Sequence, residues 1–259
     1  MKKNRRYYIR KSHRYLGAIL GIQFLLWTVG GLYFSWSSLD EIHGDHLTQP
    51  APGIPFPTQL ASPQHVLTKL QQLQPVDSLH SLQLLQVLDS PVYQIRYYTT
   101  IHGDAITKTQ LAWATTGALR PAISRSEAVE IAQHVFSEAS PVEQVEYLEA
   151  VGSHHEYRSK PLPAWVITFH HPSQVSVYVA AELGTLQSIR HQAWRTFDFL
   201  WMLHTMDYSS RDNFNNWLLR SFALLGLVTI LSGFILYYIS SPTVRGLGKR
   251  GPIKKITSL

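Results

Sequence analysis

The chain has 259 residues, of which 45% are hydrophobic, and it carries a formal net charge of +6. It contains no cysteine, which excludes disulfides, thiolate nucleophiles and Cys-ligated zinc or iron–sulfur sites. The basic charge lies at the two ends: seven Lys and Arg precede residue 15 and five follow residue 240, while all 17 Asp and Glu lie between residues 37 and 216. This distribution argues against nucleic-acid binding and is typical of basic tails beside membrane segments.

The first apolar segment follows a basic tail of residues 1–14 and runs from Tyr15 to Trp36 without a charged residue. As a helix it spans roughly 33 Å, close to the roughly 30 Å core of a bilayer. Aromatic residues at both ends and the one-sided basic flank predict a transmembrane helix with a cytoplasmic N-terminus. A cleavable signal peptide is the alternative, but its apolar run is usually only about 7 to 15 residues long, and no small-x-small cleavage site follows here.

Two glycines in this helix, Gly17 and Gly21, form a GxxxG step. Such a step allows another helix backbone to come close. The partner is either a helix of another chain or the second apolar helix of this chain, and the sequence favours neither.

A proline-rich connector, residues 37–59, comes next. Its start places two histidines and three carboxylates just after the apolar segment, and we single out His43, Asp45 and His46 as candidate ligands of a divalent metal. No standard ligand spacing fits them, however, and solvated polar residues leaving a membrane have the same composition.

Residues 60–192 contain two similar units, each predicted to be a helix followed by antiparallel strands. In the first unit, 60–121, a helix begins at Pro63 with Val66, Leu70 and Leu73 on one face. In the second unit, 122–192, Ser124 and Glu127 form a capping box before a helix whose buried face contains Ile131. The predicted strands are 82–88, 92–100 and 108–115 in the first unit and 145–151, 164–171 and 174–182 in the second, with equivalent turns at Gly117 and Gly184. The fold class is therefore α+β, with one face of each sheet covered by its helix.

The chain then returns to the membrane. Residues 193–216 contain an aromatic pattern at helical steps that predicts an amphipathic interfacial segment. Residues 217–239 form a second apolar run of transmembrane length, followed by a basic tail, 240–259. Both termini are therefore expected in the cytoplasm, with the α+β region outside it.

Several motifs resemble the PepSY-associated transmembrane family over nearly the whole chain. His13-Arg14-Tyr15-Leu16-Gly17 is similar to the family's first-helix signature. The Ser-x-Ser-Glu-Ala helix start and the Thr-Gly turn resemble PepSY modules. Leu203-His204-Thr205-Met206 and the following apolar run are similar to its second membrane signature. The resemblance implies two PepSY-like units carried on two transmembrane helices in the bacterial inner membrane, with a periplasmic ectodomain.

Longer relatives carry four transmembrane helices and are similar to haem-b reductases that reduce ferric siderophores. The resemblance therefore implies haem b as cofactor, with His13 and His204 as ligands and His43 as a substitute ligand. His13 and His204 are expected about 30 Å apart along the membrane normal, so one chain cannot place both on one iron. A homodimer or a larger membrane complex is then needed, and a homodimer would pair each histidine with its twin.

The sequence is also compatible with a second, non-enzymatic function. PepSY modules also occur as inhibitory, sensor or interaction domains, and no catalytic motif is present in the ectodomain. On this hypothesis the chain is a non-enzymatic accessory module that binds a periplasmic protein, a protease or a larger membrane complex.

Overall fold

The computed structural model of the chain describes residues 5–50 and 52–241. The predicted tail 240–259 therefore lies almost wholly outside the described residues, as do the first four residues of the N-terminal tail. The chain divides into two compact units. The helix unit comprises the residues up to Trp36 and from Leu200 onward, and the α+β unit comprises Ser37–Phe199.

Two long helices build the helix unit: α1 (Arg5–Trp36) and α6 (Trp217–Ser240). Of these, Tyr7–Trp36 and Trp217–Ser240 are long and apolar enough to cross a membrane. Their large apolar side chains are mostly exposed, as Ile22 is at 69% and Phe234 at 68%. A core helix of a soluble protein would bury such side chains, so the exposure favours contact with lipid.

The packing of α1 on α6 depends on small residues of α6. A Cβ atom added at Gly226 would lie 3.0 Å from the ring of Phe24, so glycine is needed for this approach. The predicted step at Gly17 and Gly21 does not take part, because a Cβ atom at either would meet nothing within 4 Å. Of the two partners considered for that step, the chain's own second helix is therefore not the one observed.

The α+β unit begins with two short helical turns, α2 (Leu39–His43) and a 3-10 turn at Asp45–Leu47. Its first repeat contains α3 (Pro63–Leu73) and a four-stranded antiparallel sheet in sequence order. The strands are β1 (Ser78–Val87), β2 (Ser90–Ile101), β3 (Asp104–Trp113) and β4 (Leu119–Arg120).

The second repeat has the same order of elements. Helix α4 (Arg125–Val135) precedes a second four-stranded antiparallel sheet. Its strands are β5 (Val142–Leu148), β6 (Ala164–Phe169), β7 (Ser176–Ala180) and β8 (Thr185–Arg190). The predicted capping box is confirmed, since the Ser124 amide donates to Glu127 Oε2 at 2.8 Å and Ser124 Oγ accepts from the Glu127 amide at 3.3 Å.

The predicted repeat is thus confirmed at the level of two helix-plus-sheet units. Gly117 and Gly184 occupy equivalent turns and share a φ of 69°, a left-handed conformation that favours glycine. The buried helix faces are centred as expected, with Leu70 exposed by 1% and Ile131 by 7%. Leu73, which was expected on the same buried face, is instead 72% exposed and is the last residue of α3.

The two repeats also share a core. Val87 and Leu111 of the first sheet pack in the same cluster as Ile131 of α4 and Ile167 of the second sheet. Across this contact Gln94 Nε2 donates to the carbonyl oxygen of Leu183 at 2.6 Å. The first sheet is therefore covered on one face by α3 and on the other by the second repeat.

Helix α5 (Gln192–Thr205) follows β8 and matches the helical part of the predicted amphipathic segment. Its residues from Leu200 onward belong to the helix unit. The remaining residues of the predicted segment, up to Asn216, form a loop that leads into α6.

Candidate functional site

The helix unit holds both histidines singled out as cofactor ligands. His13 lies on α1 against α6, with its Nδ1 2.7 Å from Ser232 Oγ. The Ser232 hydroxyl donates its only hydrogen to the Thr229 carbonyl at 2.7 Å, so His13 Nδ1 must be the donor toward Ser232. The neutral ring then keeps its lone pair on Nε2. Gly233 leaves room for this ring, since a Cβ atom there would lie 3.3 Å from His13 Cε1.

His204, near the end of α5, lies in an aromatic cluster. Its ring centroid is 5.8 Å from those of Trp27 and Phe34 and 6.4 Å from that of Trp201. Its Nδ1 is buried and has no hydrogen-bond partner among the described residues, and neither has Nε1 of Trp27. Buried polar atoms are nearly always paired, so an unpaired Nδ1 at this position is unusual.

The loop after His204 is held by two side chains. Asp207 accepts hydrogen bonds from the hydroxyl of Ser210 and, at 2.9 Å, from the amide of Asn213. Burial alone would raise the pKa of Asp207, but these hydrogen bonds outweigh it, and the pKa lies well below its usual range. Asn216 then caps α6 by accepting from the Leu219 amide at 2.8 Å. The chain therefore enters α6 through a fixed turn close to His204.

The two histidines do not meet within one chain. Trp27 and Phe34, which contact the ring of His204, follow His13 on α1 by 14 and 21 residues. At about 1.5 Å per residue this corresponds to roughly 20 to 30 Å along the helix. A bis-imidazole haem needs both ligands at one depth. One chain therefore offers one free imidazole nitrogen at each of two depths, and the residues fit haem b only when a second histidine comes from another chain.

The predicted metal ligands lie in the α+β unit. His43, Asp45 and His46 are all exposed, and the ring of His46 lies 5.7 Å from that of His191. Among residues 5–50 and 52–241 no group of three or more His, Asp or Glu side chains stands close enough to hold a metal ion. The metal site and the role of His43 as a substitute ligand remain predictions.

His191 has a role that its position in the sequence did not reveal. Its Nε2 faces the Glu41 carbonyl oxygen at 2.9 Å and must donate to it, while its Nδ1 accepts from the Trp194 amide at 3.2 Å. It thereby caps α5 and ties it to α2. Burial lowers the pKa of His191 below its ordinary value of 6.5, and nearby His46 lowers it further.

A partly buried ionic network on the second sheet was also missed. Glu156, in the loop between β5 and β6, accepts from Arg195 Nε at 2.6 Å and from the Tyr178 hydroxyl at 2.6 Å. Burial opposes the charge of Glu156, but the bonds from Arg195 and Tyr178 lower its pKa. Arg190 lies 3.9 Å above the ring of Trp194 and donates to the Glu156 carbonyl. The hydrogen bonds that Glu156 accepts all come from side chains of the same unit. We therefore assign this network a structural role, which is to hold the loop on the sheet.

Comparison of the chain with family models, with curated proteins and with solved structures finds no match in any of the three. These comparisons neither support nor contradict the resemblance to PepSY modules. Function is therefore inferred from the geometry of the two histidines and from the surfaces of the α+β unit.

Proposed function

We propose that the chain is a membrane-anchored electron-transfer subunit that binds haem b through His13 and His204, each paired with the same histidine of a second copy. The observation that supports it is that Nε2 of His13 and both nitrogens of His204 have no hydrogen-bond partner among the described residues. When bound, haem b supplies one-electron chemistry, which suits reduction of a ferric, siderophore-bound iron on the outer face.

The residues of this chain would prepare the ligands. Ser232 holds the proton of His13 on Nδ1, as outer-shell partners of metal-binding histidines do, and so keeps Nε2 free for iron. Trp27, Phe34 and Trp201 surround the ring of His204 and would fix its orientation.

The test is a reduced-minus-oxidised absorbance spectrum of the full chain purified from haem-replete cells. We expect a b-type band that is lost or halved in His13→Ala and in His204→Ala and unchanged in the control His102→Ala, because His102 is an exposed residue of the β2–β3 turn. Ser232→Ala should keep the band but weaken haem retention by about 10 to 100-fold, the usual effect of losing an outer-shell partner. The absence of a band in the wild type, or a band that survives both alanine variants, would contradict the proposal.

A second candidate, the accessory interaction module, is supported by the outer edge of β1. Both β1 and β5 are edge strands of their sheets. Strand β5 carries Glu143 and Glu146, charges of the kind that protect an edge, whereas β1 contains no Asp, Glu, Lys or Arg over its 10 residues. An uncharged edge of this length can accept an added strand from a partner.

A photo-crosslinking amino acid at Leu84 of β1 tests this candidate, with Gln144 of β5 as the matched control. Both are exposed residues of edge strands. We expect a crosslinked product in cells from position 84 only. A product of twice the chain's mass identifies a second copy, and another mass identifies a different protein. Equal yields at both positions, or none at 84, would exclude β1 as the docking edge.

A further inference from the structure

Strand β1 is an open edge of the first sheet and carries exposed leucines. It stands at one end of the strand order β1-β2-β3-β4. Leu79 is 47% exposed and Leu84 is 37% exposed. Leu82 and Leu84 share one face of the sheet, because they stand opposite Ile95 and Tyr93, which both belong to the core under α3. This edge therefore presents apolar side chains beside unpaired backbone groups.

The direction of these backbone groups follows from a proline in β2. Gln86 stands opposite Pro91, and proline has no N–H to donate, so the two form a non-hydrogen-bonded pair. Such pairs alternate with hydrogen-bonded pairs along an antiparallel ladder, and the register is regular over residues 81–87. Leu84 and Leu82 are therefore also in non-hydrogen-bonded pairs with β2. Their N–H and C=O groups point away from β2, toward the open edge.

We infer that two copies of the chain join through β1, whose strands pair antiparallel about a twofold axis at Gln83. In this register Leu82 of each copy stands opposite Leu84 of the other. Both leucines lie on the same face, so apolar side chains meet across the interface. Both also carry the backbone groups that point outward, so the same pairs exchange hydrogen bonds. One register thus satisfies side chains and backbone together, as a self-complementary contact requires.

Charge distinguishes this edge from that of the second sheet. Pairing of two β5 strands would place Glu143 and Glu146 of both copies in one ladder, where like charges repel. Strand β1 contains no charged residue and brings no such repulsion. The inference rests on the β1 edge of the accessory-module proposal and names its occupant, a second copy, which the haem proposal also requires. Its residues all lie in the α+β unit.

Single cysteines test the register, because the chain has none of its own. Gln83 meets its twin in a non-hydrogen-bonded pair, where the two Cα atoms lie about 4.5 Å apart and a disulfide can form. Ser81 is the control on the same face, since it lies four residues from its twin along the strand, roughly 14 Å. Gln144, an exposed residue of the edge strand β5, is the second control. We expect the full chain in detergent, oxidised with copper phenanthroline, to form a disulfide-linked dimer in Gln83→Cys and in neither control.

A charge on the edge provides a second measurement that needs no disulfide. Leu84→Lys places a lysine opposite Leu82 of the other copy, and lysine on an edge strand opposes strand pairing. We expect the dissociation constant of the dimer, measured by analytical ultracentrifugation of the full chain in detergent, to rise about tenfold, because both leucine pairs are lost. Gln144→Lys on β5 should leave this constant unchanged. Circular dichroism checks that each variant is folded.

Three results would overturn the inference: equal disulfide yields in Gln83→Cys and Ser81→Cys, no disulfide in Gln83→Cys, or an unchanged dissociation constant in Leu84→Lys. The spectrum of the haem test separates this inference from the haem proposal. A b-type band in a chain that fails the cysteine test would overturn the β1 interface and leave the haem proposal standing. A disulfide in Gln83→Cys without a b-type band in the wild type would support the interface and contradict haem binding.

Discussion

His13 Nδ1 donates to Ser232 Oγ over 2.7 Å and so joins two residues that lie 219 positions apart in the chain. The bond connects α1 to α6 through polar groups on two helices that are mostly apolar. Polar residues on such helices are costly in lipid and usually have a functional or packing role. The same imidazole that is proposed as a ligand therefore also fixes how the two helices pack.

The contact at Gly226 gives a test of this packing. Gly226→Val places a Cβ atom 3.0 Å from the ring of Phe24, and overpacking of this kind costs about 1–3 kcal/mol. We expect the midpoint of SDS-induced unfolding, followed by tryptophan fluorescence, to fall. Gly31→Val is the control, because a Cβ atom there meets nothing within 4 Å. An equal fall in both variants would show that the loss comes from the helix backbone and not from this contact.

His191 predicts a dependence of stability on pH. The pKa of His191 in the folded chain is lowered below 6.5. The folded state therefore favours the neutral form of the ring more than the unfolded state does. Its contribution is fully present above about pH 6.5 and is lost as the pH falls below that value toward the lowered pKa, because a protonated Nδ1 cannot accept the Trp194 amide. Denaturant unfolding between pH 5 and 8 should show this loss.

His191→Ala should lower the free energy of unfolding by about 1–2 kcal/mol at pH 8, the usual cost of a lost helix cap. The same substitution should also reduce the dependence of the free energy of unfolding on pH between 5 and 7. His170→Ala, an exposed histidine at the end of β6, serves as the control and should keep the wild-type dependence. If His191→Ala also keeps the wild-type pH dependence, a group other than His191 causes that dependence.

Local patterns accounted for much of the fold. The apolar runs predicted both long helices, Ser124 and Glu127 predicted the start of α4, and the two Thr-Gly and Leu-Gly turns predicted the repeat. Each of these signals lies within one continuous stretch of the chain. Strands β4 and β8 were missed, since β4 has only two residues and β8 alternates weakly between apolar and polar positions.

The candidate site could be predicted only in part. His13 and His204 were identified from motifs, but the partner of His13 and the aromatic cluster around His204 depend on contacts between distant segments. Hydrophobic period and capping carry no information about such pairings, because the register between distant elements is fixed by tertiary packing.

Because Ile131 lies in the core shared by the two repeats, a charge at this position should strongly destabilise the α+β unit. This residue is 7% exposed, and Ile131→Asp would bury a carboxylate without a partner. We expect the α+β unit to lose its resistance to trypsin. Ile106→Asp on β3 is the matched control, since Ile106 is 37% exposed and its carboxylate can reach water. Loss of resistance in both variants would contradict the assignment of the core.

The charge distribution makes a prediction about topology. Because the chain has no cysteine, a single introduced cysteine can be located with a membrane-impermeant thiol reagent in intact cells. Ser78→Cys, on the exposed start of β1, should be labelled, and Ser258→Cys, which lies outside the described residues, should react only after the membrane is permeabilised. The reason is that basic tails are retained in the cytoplasm, whereas the acidic middle of the chain is free to cross. Labelling of Ser258→Cys but not of Ser78→Cys would reverse the orientation and move every function assigned to the α+β unit to the cytoplasmic side.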